Sequence, residues 1–329
     1  MTAAPAYSIL IPTYRRPDML ADCLAAVCAL DYPLDALEII VIDNGGAQNS
    51  QAAAKPFEGR LRIRYLVNRR NRGYGYSVNR GIVEAVGERL LLLNDDARVA
   101  PDLLRECDRL LQGDAAIGCV GCRAVEAGYA NGGEGIGRID PSGIVVGNFN
   151  LDCGEATEVE HVYGFCYVFT REAVERAGLN DRTLLARPYS SGNRIETDHC
   201  LMIRSAGLKV VYNPRMTAVH LAKPRPDMSE VSLGWKRNAI RNTLYLYLKH
   251  YGLFGKRAAA LRLTFLVDVG LISAVKHPSR ANVAYFLSGL RARGSAYGHY
   301  VLYLLGGAKN RPEALRSILE RDEQGEHAR

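Results

Sequence analysis

The stretch Leu90 to Leu104, "LLLLNDDARVAPDLL", decides the fold. Four consecutive leucines read as a strand buried on both faces of a sheet. The strand runs directly into Asn94, Asp95 and Asp96, and Pro101 with Asp102 suits the first turn of a following helix. Adjacent carboxylates repel, and each resists ionising beside the other. Two explanations fit such a pair at a strand end: a solvated turn, since Asn and Asp are common turn residues, or a site for a hard divalent cation, which takes oxygen ligands.

Outward from this stretch the chain alternates strands and helices. "YSILIPTY" (Tyr7 to Tyr14), "LEIIVIDNGG" (Leu37 to Gly46) and "LRIRYLVN" (Leu61 to Asn68) read as strands. Residues 17–30 carry Leu20, Leu24 and Val27 on one helical face, and "GYSVNRGIVEAV" (Gly75 to Val86) is an amphipathic helix. This pattern predicts an α/β fold with βαβ units and a parallel sheet. In such sheets ligands bind beyond the carboxyl ends of the strands. Asp43 and the Asp95/Asp96 pair fall on that edge together, which favours the cation site over the plain turn.

Residues 128–160 are rich in glycine and acids and read as a long loop or short antiparallel strands. Val162 to Thr170 reads as a strand, Glu172 to Ala177 and Thr197 to Gly207 as helices, and Lys209 to Pro214 and Thr217 to His220 as two short strands. After a connector at residues 223–227 comes a basic, aromatic helix from Leu233 to Gly252. Two apolar segments follow, Leu261 to Val275 and Gly298 to Leu305, both shorter than the roughly 20 residues needed to span a bilayer.

The chain has 329 residues and a net charge of +7, unevenly spread. Residues 1–203 hold 21 Lys/Arg against 27 Asp/Glu, and residues 204–329 hold 21 against 8. The basic C-terminal third points to a polyanionic partner. Its aromatics lie among leucines, as in "TLYLYLKHY", which suits an anionic lipid interface better than base stacking, so no nucleic-acid partner is expected. The eight cysteines are scattered, and the one CxxC, Cys119 and Cys122, has no partner spacing for zinc. Buried reduced thiols and the absence of a secretory signal predict a cytoplasmic protein.

The order of "SILIPTYRRP", "IIVIDNGG", "NRGYGYSVNRG", "LLLLNDDARV", "TDHCLMIRSAG" and "AVH" resembles the family 2 glycosyltransferases, inverting enzymes with the GT-A fold, most of all the bacterial rhamnosyltransferase-like members. The resemblance covers roughly residues 7–250. It implies a GT-A catalytic domain over residues 1–222, with a nucleotide-sugar half to about 125 and an acceptor half from about 126. Residues 223–329 would form a helical, basic, membrane-associated extension. It implies metal-dependent transfer of a sugar from a nucleoside-diphosphate sugar, UDP first and dTDP second, to a hydroxyl of a glycan or lipid-linked glycan. The enzyme would lie on the inner face of the cell membrane.

The residue assignments follow from the same resemblance. Pro12, Thr13, Tyr14, Asp43, Arg72, Gly73, Asn79, Asn94 and Asp95 would contact the nucleotide. Asp96 and His220 would hold the divalent cation, Mn2+ or Mg2+. Asp198 would be the general base, and Tyr163, Gly164, Thr197, Arg204 and Trp235 would line or support the acceptor side. Two departures stand out: Asn94 replaces the first acid of the family's Asp-x-Asp, and Thr197 replaces the Glu before the expected base. Two other classes compete. A nucleotidyltransferase would carry a glycine-rich phosphate loop near the first strand, which "IPTYRRPDML" lacks. A nucleic-acid-binding protein is supported only by the basic C-terminal third.

Overall fold

The protein is described by a computed structural model, covering residues 4–45, 48–125, 134–140, 145–181, 183–184, 194–221, 232–254 and 271–306. In chain order its elements are β1 (Tyr7–Thr13), α1 (Pro17–Cys28), β2 (Leu37–Asp43), α2 (Gln48–Ala54), β3 (Ile63–Val67), α3 (Tyr74–Glu84), β4 (Arg89–Leu93), β5 (Ala97–Val99), α4 (Leu103–Gly113) and β6 (Ile117–Ala124). There follow β7 (Arg138–Ile139), β8 (Val145–Val146), β9 (Thr157–Glu158), β10 (Cys166–Thr170), α5 (Arg171–Ala177), α6 (Ile195–Ser205), β11 (Lys209–His220), α7 (Leu233–Tyr251), α8 (Leu271–Lys276) and α9 (Arg280–Leu304).

One sheet organises the molecule, in the order β3-β2-β1-β4-β10-β6-β11-β5, with β9 added beside β11. The first four strands are parallel, as the alternating pattern predicts. Strand β10 then enters antiparallel between β4 and β6. The order doubles back at β1, from which β2 and β4 extend to opposite sides, and that is where an open α/β sheet leaves a crevice at its carboxyl edge. Register places Thr13 beside Asp43 at that edge.

Side-chain alternation puts a core on each face. Ile9, Ile11, Ile39, Val41, Leu91 and Leu93 pack against Leu20, Leu24 and Val27 of α1 and Leu103 and Leu104 of α4. Leu10, Ile40, Ile42, Leu90 and Leu92 pack on the other face against Val78 and Ile82 of α3 and Cys200 and Ile203 of α6. The leucine run of β4 is therefore buried on both sides. The short strands β7, β8 and β9 bear out antiparallel pieces in the glycine-rich region. The two short strands expected at residues 209–220 are one bent strand, β11, whose register shifts between Asn213 and Thr217. Cys119 and Cys122 are buried free thiols within β6.

The C-terminal helices differ from the expectation. Helix α7 is sandwiched, not peripheral: Tyr245 and Leu248 pack with Leu184 and Ile195, and Tyr247 with Leu201 and Ile139. Tyr245, Tyr247 and Lys249, expected to face a lipid surface, are buried. Tertiary packing has claimed the aromatic face. The exposed apolar side chains lie instead on α8 and α9, including Leu271, Ile272, Val275, Leu287 and Leu290. The apolar segment at 298–305 is the end of the 25-residue α9. Among the described residues no helix is long and apolar enough to cross a membrane. The boundary expected at residue 222 and the connector at 223–227 fall outside the described residues, as does most of the segment 261–275.

Candidate active site

The carboxyl ends of β1, β2 and β4 bring together most of the residues singled out in the sequence. Asp43 is fully buried, accepting from the Gly45 amide at 3.0 Å and from the Tyr65 hydroxyl at 3.2 Å. Beside it Asn44 organises the next wall. Its Oδ1 accepts from Asn68 Nδ2 at 3.1 Å and from the Arg72 amide at 2.9 Å, and its Nδ2 donates to Asn71 Oδ1 at 2.9 Å. Gly73 opens α3 at φ 90°, a conformation only glycine adopts cheaply, and its amide donates to Asn71 Oδ1. The Arg72 guanidinium lies 4.8 Å over the Tyr76 ring. Pro12 is buried within β1, and Tyr14, beyond the strand end, is exposed.

The acidic pair sits one strand over. Asp95 is fully buried and accepts from Thr13 Oγ1 at 2.7 Å. Burial outweighs its cationic neighbour and raises its carboxyl to about 6. Arg16 contacts both acids, Nη2 lying 2.5 Å from Asp95 Oδ1 and Nη1 2.7 Å from Asp96 Oδ2. Burial also acts to raise Asp96, but His220 and Arg16 outweigh it and hold this carboxyl below the ordinary range. His220 Nε2 stands 3.4 Å from Asp96 Oδ1. The imidazole is held in place by Tyr163, whose hydroxyl is 3.1 Å from Nδ1, and by stacking on Phe165.

Two observations bear on a cation here. Asp96 Oδ1 is buried and makes no hydrogen bond. Among the described residues no cluster of three or more His, Cys, Asp or Glu side chains is arranged to hold a metal. An acid oxygen met only by an imidazole at 3.4 Å suits Mg2+ or Mn2+, ions that keep open positions for water and substrate phosphates.

The far side of the cleft differs from the sequence expectation. Asp198 is fully buried, with Oδ2 bound by Lys249 at 2.8 Å and Oδ1 by His250 at 2.6 Å. Burial alone would raise its carboxyl, but Lys249 and His250 hold it at about 2. A carboxylate so engaged is a poor proton acceptor. Two residues earlier in the same turn of α6, Glu196 behaves in the opposite way. Residues i and i+2 point to different sides of a helix, so only one of the two acids can face the cleft. Glu196 is half-buried, and no side chain among the described residues hydrogen-bonds its carboxylate. Burial pushes its carboxyl up, only partly offset by its own amide and Arg194. It packs on Gly164, where a Cβ would lie 3.0 Å from its side chain. Tyr74 spans the gap, donating to Asn94 Oδ1 at 2.8 Å and sitting 3.3 Å from the Gly164 carbonyl. Burial raises the Tyr74 hydroxyl far above its usual range, reinforced by Glu196, Asp96 and Asp95. The Tyr163–Gly164 segment therefore touches both His220 and Glu196.

Three other expected site residues are placed elsewhere. Asn79 is buried and bonded to Asn180, its Nδ2 donating to the carbonyl at 2.9 Å and its Oδ1 accepting from the amide at 3.0 Å, which pins α3 to the segment after α5. Arg204 binds Glu158 and the Val159 carbonyl at the far end of α6. Trp235 lies in the first turn of α7, where its amide is capped by Ser232. Thr197 is fully buried. Glu196, Tyr74, Arg16 and the Asn44–Asn68–Asn71 cluster escaped the sequence reading. Glu196 was the most accessible of them, being an acid in the first turn of the helix already singled out.

Known proteins share this fold. Over the whole chain the fold resembles Staphylococcus aureus TarS 1-349, solved in complex with UDP-GlcNAc, with TM-score 0.60, 11% identity, and 98% and 93% of the two chains covered. The mannosyltransferase PcManGT of Pyrobaculum calidifontis, solved with GDP-Man and Mn2+, aligns with TM-score 0.53, 17% identity, and 99% and 89% coverage. These neighbours have the GT-A fold. Among curated relatives, the glycosyltransferase AglE of Haloferax volcanii is 28% identical over 137 residues, 41% of this chain and 44% of AglE. The chondroitin synthase of Escherichia coli is 32% identical over 120 residues, 35% of this chain and 17% of the synthase. The chain spans less than half the length of these curated relatives. The profile described as "Glycosyl transferase family 2" matches residues 8–178, more than half of the sequence, and the chain belongs to that family.

Proposed function

We propose that this transferase moves a sugar from a nucleoside-diphosphate donor to an acceptor hydroxyl with inversion, using a divalent cation at Asp96 and His220 and Glu196 as the general base. The observation that carries the proposal is the opposition of two kinds of acid across Tyr74: Asp96, held ionised beside a histidine, and Glu196, held toward neutrality with no side-chain hydrogen bond among the described residues. Groups whose environments push them apart in this way divide the work of a reaction. Asp43 and the Asn44 cluster form the wall suited to a nucleoside. The cation, when bound, neutralises charge building on the leaving diphosphate. Glu196 takes the proton of the attacking hydroxyl as its oxygen bonds to the anomeric carbon and the bond to the diphosphate breaks. A raised carboxyl pKa improves that proton acceptance near neutral pH.

UDP-sugars are the first donors to test, in keeping with the TarS neighbour solved with UDP-GlcNAc, and dTDP-sugars the second. The acceptor we favour is a glycan or lipid-linked glycan at the cytoplasmic leaflet, approached through the exposed apolar face of α8 and α9. The test is a screen of nucleotide sugars for release of nucleoside diphosphate with Mn2+, with Mg2+ and with chelator. Glu196→Gln and Asp198→Asn are run beside the parent protein. Loss of turnover in Asp198→Asn with full turnover in Glu196→Gln would reverse the assignment of the base.

A further inference from the structure

Arg16 occupies an unusual position for a residue outside the core. The chain leaves β1 through Arg15, which adopts a left-handed φ of 55°. That reversal turns Arg16, the residue preceding α1, back toward the end of β4. Its guanidinium then contacts Asp95 at 2.5 Å and Asp96 at 2.7 Å, one nitrogen to each acid. A planar fork with several donors matches two neighbouring carboxylates, as a single ammonium could not.

The three partners differ in freedom. Asp95 is fixed, being fully buried and bound by Thr13 at 2.7 Å. Asp96 is bound by Arg16 at one oxygen, while the other has only the 3.4 Å contact of His220. The Arg16 side chain is 48% exposed. It is tethered chiefly at its tip and can withdraw without opening the core.

We propose that Arg16 is the resident counter-ion of the acidic pair, and that it and a divalent cation take Asp96 in turn, so that the cation binds tightly only together with a diphosphate that receives the displaced guanidinium. This rests on Asp96 being a cation ligand. The charge argument is direct. A guanidinium a few ångströms from a divalent ion feels twice the repulsion of two unit charges. One carboxylate pair cannot compensate both. A diphosphate adds the missing negative charge, and guanidinium groups bind phosphate oxygens in paired hydrogen bonds. Metal and donor binding become linked, each tightening the other by the same factor.

The test measures Mn2+ binding to the full chain by the paramagnetic signal of the free ion, without nucleotide and with saturating UDP, then dTDP. The parent protein is expected to bind Mn2+ at least tenfold more tightly with nucleotide. Arg16→Ala is expected to bind Mn2+ at least tenfold more tightly than the parent without nucleotide, and to lose most of the nucleotide effect. Arg16→Lys, which keeps charge and loses the fork, is expected between them. An unchanged or weakened Mn2+ affinity in a folded Arg16→Ala protein overturns the proposal, while Mn2+ binding that survives in Asp96→Asn overturns the metal assignment beneath it.

Discussion

Two ionic clusters stand on either side of the cleft, and they are built to opposite ends. At the strand edge, Asp95 and Asp96 share Arg16, which is half in solvent, and Asp96 Oδ1 has only the 3.4 Å contact of His220. Between α6 and α7, Asp181 and Asp198 share Lys249, whose side chain is 4% exposed, and His250 and Tyr245 complete the set. The first cluster has a removable cation and spare coordination. In the second, Asp181, Asp198, Lys249 and His250 are all engaged and nearly all buried. Buried charge of the second kind is tolerated only when paired and hydrogen-bonded. It rivets α7 to α6, the helix that carries Glu196. Acids of the same type thus sit beside a half-exposed cation in one place and around a buried one in the other.

The largest expected effects separate the two roles directly. Glu196→Gln keeps shape and removes basicity, so turnover is expected to fall roughly a hundredfold to ten-thousandfold. Its melting temperature and donor affinity should stay near those of the parent. Lys249→Met strands two buried carboxylates and is expected to cost about 3–5 kcal/mol of stability by denaturant titration. Adding Asp198→Asn to Lys249→Met should recover part of that loss, because one stranded charge is removed. A Lys249→Met protein of parental stability would show that the second cluster is not a rivet. So would an Asp198→Asn protein that melts normally and has lost all turnover.

The clusters also differ in what the sequence reveals. The parallel strands and helix faces of the first hundred residues were legible, because the continuous apolar run Leu90 to Leu93 and the helical spacing of residues 17–30 each follow a rule of backbone geometry. The strand-edge half of the site was legible for the same reason: Asp43, Asp95 and Asp96 end strands, and parallel strands end on one side. The helical half was not. Nothing local distinguishes Glu196 from Asp198 in one helical turn. The choice is made by Lys249 and His250, about fifty residues later, and by the absence of a side chain at Gly164. Asn79 reads as a donor toward a nucleotide but is claimed by Asn180, which lies 101 residues away. Tyr245 and Tyr247 read as interfacial until α6 and α9 cover them. Phase around a helix is a tertiary property wherever both faces find partners.

Acidity offers a third way to sharpen the contrast. Asp198 has its folded value held at about 2, below that of an unfolded Asp. A depressed carboxyl contributes stability that is present above the unfolded value and lost as pH falls through the folded one. The parent protein should therefore lose stability between roughly pH 4 and pH 2, and Asp198→Asn should flatten that part of the curve. Glu196 runs the other way. Its folded value is raised, so its ionisation opposes folding as pH rises, while its activity requires the ionised form. The acid limb of the kcat/KM profile should lie above the ordinary glutamate range. Glu196→Asp, shorter by one methylene, should move that limb and lower the plateau. An acid limb that follows the stability curve of Asp198 instead would assign the loss of activity to unfolding.

The smallest expected effect concerns the outer face of the layer that the second cluster rivets down. Leu271, Ile272, Val275, Leu287 and Leu290 are exposed on α8 and α9. From residue 269 to residue 312 the sequence holds no Asp or Glu, while Lys276, Arg280, Arg291 and Arg293 accompany the apolar side chains. Apolar residues edged only by positive charge suit an anionic lipid surface. Each basic residue near such a surface contributes about 1 kcal/mol, and a leucine only partly inserted contributes less than the roughly 1.5–3 kcal/mol of full burial. Leu287→Asp is therefore expected to weaken co-sedimentation with phosphatidylserine-containing vesicles by roughly tenfold, with turnover on a soluble acceptor unchanged. Binding of the parent should fall as salt rises and be weak on neutral vesicles. Equal binding to neutral and anionic vesicles would remove the electrostatic part. An unaffected Leu287→Asp protein would show that α9 turns this face to something other than lipid, leaving the cleft and its two clusters as they are.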